Sequence, residues 1–298
     1  MEKEKFKFID LFAGIGGFHI ACHNLNGRCV FASEWDEAAR KTYTANFCKI
    51  SPDLFDKDGN PTEMFAGDIT KVNIPSIPDF DLLCAGFPCQ PFSVAGKRKG
   101  FEDTRGTLFF NVANILKEKK PKIVFLENVR GLENHDNGNT FEVIKNTMDE
   151  LGYNFHYQVL KASDYGVPQN RPRLYMVGIR KDLKDTFEFP KPVELKKTMS
   201  DIFDGKQVNK KIGFTLRVGG RGSGINDRRN WDSYIVDGEE VRIGPKEGKR
   251  MQGFPDDFKM PVCETQAMKQ LGNSVAVPAI QATVDQILKV MEDNNVSK

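Results

Sequence analysis

Cys89 stands in Gly86-Phe87-Pro88-Cys89-Gln90-Pro91, directly after the apolar run Leu82-Leu83-Cys84-Ala85. The run reads as a buried strand that glycine and proline break, so the thiol is carried to the strand tip, at the edge of a cleft. A free thiol has a pKa of about 8.5 and attacks as the thiolate, which cationic neighbours favour. Beyond it, Ala95-Gly96-Lys97-Arg98-Lys99-Gly100 forms a glycine-rich, cationic flap suited to a negatively charged substrate. A buried structural thiol is the commoner use of cysteine, a description that fits Cys84 inside the strand better than Cys89. Glu127-Asn128 closes a second apolar run, Ile123-Val124-Phe125-Leu126. A carboxyl at the end of a buried strand is costly unless paired or used, and parallel sheets hold their sites at strand carboxyl ends. Its structural alternative is a helix cap or a salt-bridge partner. Arg171 and Arg173, in Gln169-Asn170-Arg171-Pro172-Arg173, alternate onto one side of an extended chain. Both then face the cleft, or both solvate an edge strand.

Groups such as these need a sheet to position them. Residues 6–12 have a strand pattern that runs into Ala13-Gly14-Ile15-Gly16-Gly17 and then an apolar helical segment through Ile20 and Leu25. Strand, glycine turn and helix open a doubly wound sheet with a ligand against the turn. The Gly14-x-Gly16-Gly17 spacing is not the Gly-x-Gly-x-x-Gly that grips a pyrophosphate, so a nucleoside without phosphates is expected; a turn needing small residues for packing has the same pattern. Residues 29–33 form a second strand ending at Glu34-Trp35, about twenty positions on, where this architecture binds ribose hydroxyls. Glu34 can accept from two hydroxyls and Trp35 offers a flat face to a purine. A third strand over 64–69 carries Asp68, an acceptor for an adenine amino group. An amphipathic helix over 107–116, strands at 121–129, 157–160 and 174–179, and an amphipathic helix containing Ile280, Val284, Ile287 and Met291 complete the pattern. The predicted fold is α/β, a doubly wound, mostly parallel sheet.

At 298 residues and net charge +2, composition alone points to no nucleic-acid partner. Six cysteines without a Cys-x-x-Cys pair speak against a zinc site or a disulfide framework. With no apolar leader and no bilayer-length apolar run, a soluble, intracellular protein is expected. Composition shifts near residues 187–192, a plausible boundary, and the polar stretch beyond has poor periodicity. From 206 to 229 the charges are Lys206, Lys210, Lys211, Arg217, Arg221, Arg228 and Arg229 against Asp227, around Gly219-Gly220-Arg221-Gly222-Ser223-Gly224. Glycines admit a close partner and arginines can bind phosphates or guanine; a solvated loop is the alternative.

Assembled in order, these residues resemble the bacterial DNA cytosine-5 methyltransferases of the HhaI type over nearly the whole chain. The motif series comprises the turn at 10–17, Glu34-Trp35, Gly67-Asp68-Ile69, Gly86-Phe87-Pro88-Cys89-Gln90, Arg105-Gly106-Thr107-Leu108 and Glu127-Asn128-Val129. It continues through residues 169–173 and 250–255 to Gly272-Asn273-Ser274-Val275. The resemblance implies a Rossmann-like catalytic domain over 1–189, completed by the C-terminal helix within 272–298, and a small target-recognition domain over 190–271. It implies S-adenosyl-L-methionine as methyl donor, S-adenosyl-L-homocysteine as product, and no metal. By the same resemblance Cys89 is expected to attack C6 of a flipped-out cytosine, Glu127 to contact N3 and the 4-amino group, and Asn128 to hold the loop bearing Cys89. Arg171 and Arg173 lie near the thiol, with Arg173 at O2 and the Phe87 carbonyl at the amino group. The resemblance implies that Phe12 stacks on adenine and Glu34 binds ribose, in a pocket with Gly14, Gly16, Trp35, Asp68, Ile69, Pro88, Leu108, Asn273 and Ser274. Double-stranded DNA is expected to meet Gln90, Ser93, Lys97, Arg98, Lys99, Thr215, Arg217, Arg221, Arg228 and Arg229. The resemblance further implies a monomer in the bacterial cytoplasm, with a cognate restriction endonuclease as possible partner. Gly244-Pro245-Lys246-Glu247 departs from the family's frequent Thr-Pro-Arg-Glu, and the recognition region is short, so the target sequence is not carried over.

Four other functions compete. A transfer-RNA methyltransferase shares the core, although the basic insert favours duplex DNA. A nicotinamide-dependent oxidoreductase fits the sheet but not the glycine spacing or Pro88-Cys89. A silent DNA-binding protein sits poorly with the Cys89, Glu127 and Arg173 set, and a cysteine hydrolase lacks a histidine in an evident catalytic motif.

Overall fold

A computed structural model describes residues 4–88 and 108–294. β1 (Phe6–Leu11), β2 (Gly27–Ser33), β3 (Phe65–Ala66), β4 (Leu82–Ala85), β5 (Ile123–Val129), β6 (Tyr153–Lys161) and β7 (Pro172–Arg180) form one sheet in the order β3-β2-β1-β4-β5-β7-β6. β1 pairs in parallel with both β2 and β4, so the chain reverses direction across the sheet there and leaves a crevice at the carboxyl ends. Parallel strands covered on both faces read as unbroken apolar runs, and β4 is buried at every position. Alternate residues of β4 and β5 feed two cores, Leu82, Cys84, Ile123 and Phe125 on one face and Leu83, Ala85, Val124 and Leu126 on the other.

The first core is closed by α1 (Gly17–His23), α2 (Glu37–Phe47) and α8 (Val277–Asp293), the second by α3 (Leu108–Lys119) and α4 (Asn139–Glu150). Packing alone already demands small residues in the glycine turn. Gly16 has φ +89, and a Cβ there would lie 2.2 Å from the Phe47 ring; one on Gly17 would lie 2.5 Å from Val275 Cγ2.

Two expectations are corrected. The strand over 64–69 shrinks to the two residues of β3, because Asp68 accepts from Thr70 N at 3.0 Å and turns the chain into a short 3-10 helix. The stretch beyond 190 is not irregular. It holds α5 (Met199–Ile202), a hairpin of β8 (Ser233–Val236) and β9 (Glu239–Arg242), α6 (Pro245–Gln252) and α7 (Glu264–Asn273). The Asp237-Gly238 turn, with φ of 50 and 91, builds the hairpin, and Trp231 and Tyr234 are buried beneath it.

Candidate active site

The carboxyl ends of β1 to β5 open onto a cavity of about 840 Å³ whose lining includes Phe12, Gly14, Glu34, Trp35, Asp68, Ile69, Pro88, Leu108, Glu127, Asn128, Arg171, Arg173, Asn273 and Ser274. One wall is acidic. Glu34 follows β2, nearly buried, and its Oε2 accepts from Gly14 N and its Oε1 from Asp36 N, each at 2.8 Å. Burial raises its pKa against the pull of those bonds. Each oxygen keeps a lone pair for a further donor, as a ribose diol requires. Phe12 turns at φ 56 directly after β1, and Trp35 is 81% exposed, a broad apolar face beside Glu34. Asp68 is lowered by its bonds to Thr70 and so stays ionised. Gly16 backs the turn against Phe47 and is not in the lining.

The second wall joins β5 to β7. β7 runs antiparallel to β5, so its first residues lie beside the last of β5, with Glu127 opposite Tyr175 and Val129 opposite Arg173. Two-residue periodicity puts Arg173 and Glu127 on one face, where Arg173 Nε lies 3.2 Å from Glu127 Oε1. The pairing is misaligned, for Glu127 Oε1 is buried without a well-formed hydrogen bond. Burial raises the Glu127 carboxyl despite the nearby Arg173 and Arg171 charges, so it holds a proton more tightly than a free carboxyl does. Asn128 Nδ2 donates to Phe87 O at 2.8 Å and its Oδ1 accepts from Val129 N, which ties the segment after β4 to the end of β5.

Arg171 lines the same cavity but is tied elsewhere. Buried, it donates through Nη1 to Leu216 O at 3.1 Å and through Nη2 to Gly272 O at 3.1 Å and to Ser274 O. Burial, reinforced by Arg173, pulls its pKa down to about 9. Gln169 Nε2 donates to Met251 O at 2.8 Å, and Gln252 Nε2 to Leu271 O at 2.6 Å. Residues 169–171 thus lock together segments far apart in sequence, a task that their types alone did not reveal.

Of the residues expected at the DNA, Cys89, Gln90, Ser93, Lys97, Arg98 and Lys99 lie outside the described residues. Thr215 Oγ1 donates to Asn170 O. Arg221 pairs with Glu264 at 2.7 Å and Asp232 at 3.4 Å, and Arg229 with Asp227 at 2.7 Å. Arg217 and Arg228 are exposed. Two members of the basic patch are therefore already neutralised by the fold. Among the described residues no cluster of His, Cys, Asp and Glu could hold a metal, and no helix is long and apolar enough to cross a membrane.

The family described as C-5 cytosine-specific DNA methylase matches residues 6–219 and 211–289. The chain belongs to that family. This methylase is 42% identical to the Type II methyltransferase M.HhaI of Haemophilus parahaemolyticus, with 92% of each chain covered. It is 44% identical to M.HpaII of Haemophilus parainfluenzae, over 96% of this chain and 90% of that one. The fold is that of solved relatives such as the Dnmt2 methyltransferase of S. pombe, with a TM-score of 0.72 at 20% identity over 97% of this chain and 99% of the other. The methylase is thus an enzyme that methylates C5 of cytosine in DNA, and the oxidoreductase and hydrolase alternatives are set aside.

Proposed function

We propose that this methylase transfers a methyl group from S-adenosyl-L-methionine to a flipped-out cytosine in a specific duplex sequence, through a covalent bond from Cys89. The observation that carries the reading is the convergence of Glu127, Asn128 and Arg173 beside Pro88, on the same cavity as Glu34. The cavity fits the donor: Glu34 has acceptor capacity for a ribose, Phe12 and Trp35 supply apolar faces, and about 840 Å³ is ample for a nucleoside with an amino-acid tail. When bound there, the sulfonium supplies an electrophilic methyl group.

The other steps belong to the chain. A pyrimidine C5 is a poor nucleophile, so the Cys89 sulfur bonds to C6 and the C5–C6 π pair moves to C5. Glu127, its proton affinity raised by burial, donates to N3 and offsets the negative charge that attack pushes into the ring. Arg173 faces O2 of the base, and Asn128, through Phe87 O, holds the strand end from which Cys89 follows. After methylation a water removes the C5 proton, the C5–C6 double bond re-forms and the thiolate leaves. Because C6 is enclosed in a duplex, the base is extruded first. Residues 190–271 act as the target-recognition unit, with the exposed Arg217 and Arg228 directed toward phosphate, and the main body spans 1–189 with the C-terminal helix. The identities to Type II enzymes support a place in a restriction–modification system, as a cytoplasmic monomer alongside a cognate endonuclease.

A duplex carrying 5-fluorocytosine at the target tests the chemistry, because fluorine at C5 blocks the final elimination. A complex that survives denaturation with the unaltered protein and vanishes with Cys89→Ser is expected, with S-adenosyl-L-homocysteine still bound by the variant. A variant that turns over at the native rate refutes the nucleophile.

A further inference from the structure

β3 is held to the sheet by very little. It contributes two residues, in register as Ala32↔Phe65 and Ser33↔Ala66, yet the turn that follows it carries Asp68, which lines the same cavity as Glu34. The backbone bonds joining the two turns are Ala32 N to Met64 O at 2.9 Å and Glu34 N to Ala66 O at 3.1 Å. Arg40, in the first turns of α2, reinforces them. Its Nη1 donates to Ala66 O at 2.6 Å and to Glu34 O at 3.1 Å, and its Nη2 to Phe65 O at 3.0 Å. The guanidinium carbon lies 4.1 Å from the centre of the Phe65 ring. A half-buried arginine whose bonds go to carbonyls on two neighbouring strand ends fixes the distance between those strands. α2 is itself anchored, with Asp36 accepting from Ala39 N at 2.9 Å and Ala39, Thr42, Tyr43 and Phe47 buried.

We propose that Arg40 is a positioning residue for the donor pocket: it sets the separation of the Glu34-Trp35 and Gly67-Asp68 turns, and so the fit of the nucleoside, without touching the ligand. This rests on the reading of those two turns as the nucleoside pocket. The planar fork reaches three carbonyl oxygens at once, a geometry that a lysine ammonium cannot reproduce and a glutamine is too short to span.

The test compares Arg40→Gln and Arg40→Lys with the unaltered enzyme in steady-state methylation, in calorimetric binding of S-adenosyl-L-homocysteine and in thermal melting. Loss of charge-assisted bonds predicts that Arg40→Gln raises both the KM for S-adenosyl-L-methionine and the Kd for the product about ten- to a hundredfold. kcat at saturating donor and the KM for DNA stay unchanged, and Arg40→Lys recovers part of the loss. A folded Arg40→Gln with native donor KM overturns the proposal, as does a fall in melting temperature and in the fraction trapped by 5-fluorocytosine with no change in KM. Failure of the unaltered enzyme to bind S-adenosyl-L-homocysteine sinks the pocket reading itself, an outcome distinct from equal binding by the unaltered enzyme and the variant.

Discussion

Glu127→Gln separates what the site needs for chemistry from what the fold needs for stability. At 3.2 Å the attraction between Glu127 and Arg173 is gross, about 5 kcal/mol at an effective dielectric constant near 20. If that term dominated, the Glu127 pKa would fall below its ordinary 4.5; it is raised, so burial outweighs both arginines. The folded protein therefore holds the Glu127 proton more tightly than the unfolded chain. Stability from this group is full below pH 4.5 and declines as pH climbs through the raised value. A neutral amide of the same shape escapes that decline, and Arg173 keeps a bond to Pro172 O at 3.0 Å and 16% side-chain exposure. Glu127→Gln is expected to melt within about 3 °C of the native enzyme at neutral pH, or above it, for a change near 1 kcal/mol. Methyl transfer, having lost its proton donor, should fall about 10²- to 10⁴-fold, and the alkaline decline of the native enzyme's rate should disappear. Single-turnover transfer of labelled methyl, followed alongside differential scanning calorimetry across pH, reads both. A drop in melting temperature of about 10 °C would show that the ion pair, not burial, governs the site; transfer within about tenfold of native would dismiss the acid.

Removing the Arg171 guanidinium takes a donor from three carbonyls, those of Leu216, Gly272 and Ser274, of which Ser274 O keeps Gln252 Nε2 at 3.3 Å, so Arg171→Ala should lose about 2 kcal/mol or more and expose the 213–218 segment to limited proteolysis. Melting and cleavage rates indistinguishable from native would refute the staple. His19, fully buried against Tyr43 and Ser51, has its pKa lowered by burial from 6.5 to about 3, so the folded state excludes a proton that the unfolded chain accepts. Stability from this group should fall by about 1.4 kcal/mol per pH unit as pH drops below 6.5, levelling near 3. Urea unfolding of His19→Gln should show a shallower acid slope, and equal slopes would exclude His19 as the cause.

Strand-end acids were legible because a carboxyl closing a buried apolar run has few structural uses, and Glu34 and Glu127 both line the cavity. The two arginines look alike by spacing, yet Arg173 is inside β7 and follows its alternation, whereas Arg171 precedes Pro172 and turns to carbonyls contributed by α7 and the 213–216 segment. No local pattern encodes those partners. The charge balance of the basic patch was illegible for the same reason: counting charges from 206 to 229 misses Asp232 and Glu264, which the fold brings to Arg221. The hairpin did have a turn signal, Asp237-Gly238 after the apolar Tyr234-Ile235-Val236, but its second strand, Glu239-Glu240-Val241-Arg242, is polar and gives no alternating pattern to read. Arg40 had none, since an arginine in the first turns of an amphipathic helix reads as a solvated side chain.

The reversal of β7 puts grip and chemistry on one short length of backbone. Gln169 and Arg171 clasp the 213–216 strip and the ends of α6 and α7, and Arg173, two residues on, bears on Glu127. An extended chain this short has almost no slack. Any shift of the 213–216 strip or of the ends of α6 and α7 is therefore carried along five residues to the contact between Arg173 and Glu127.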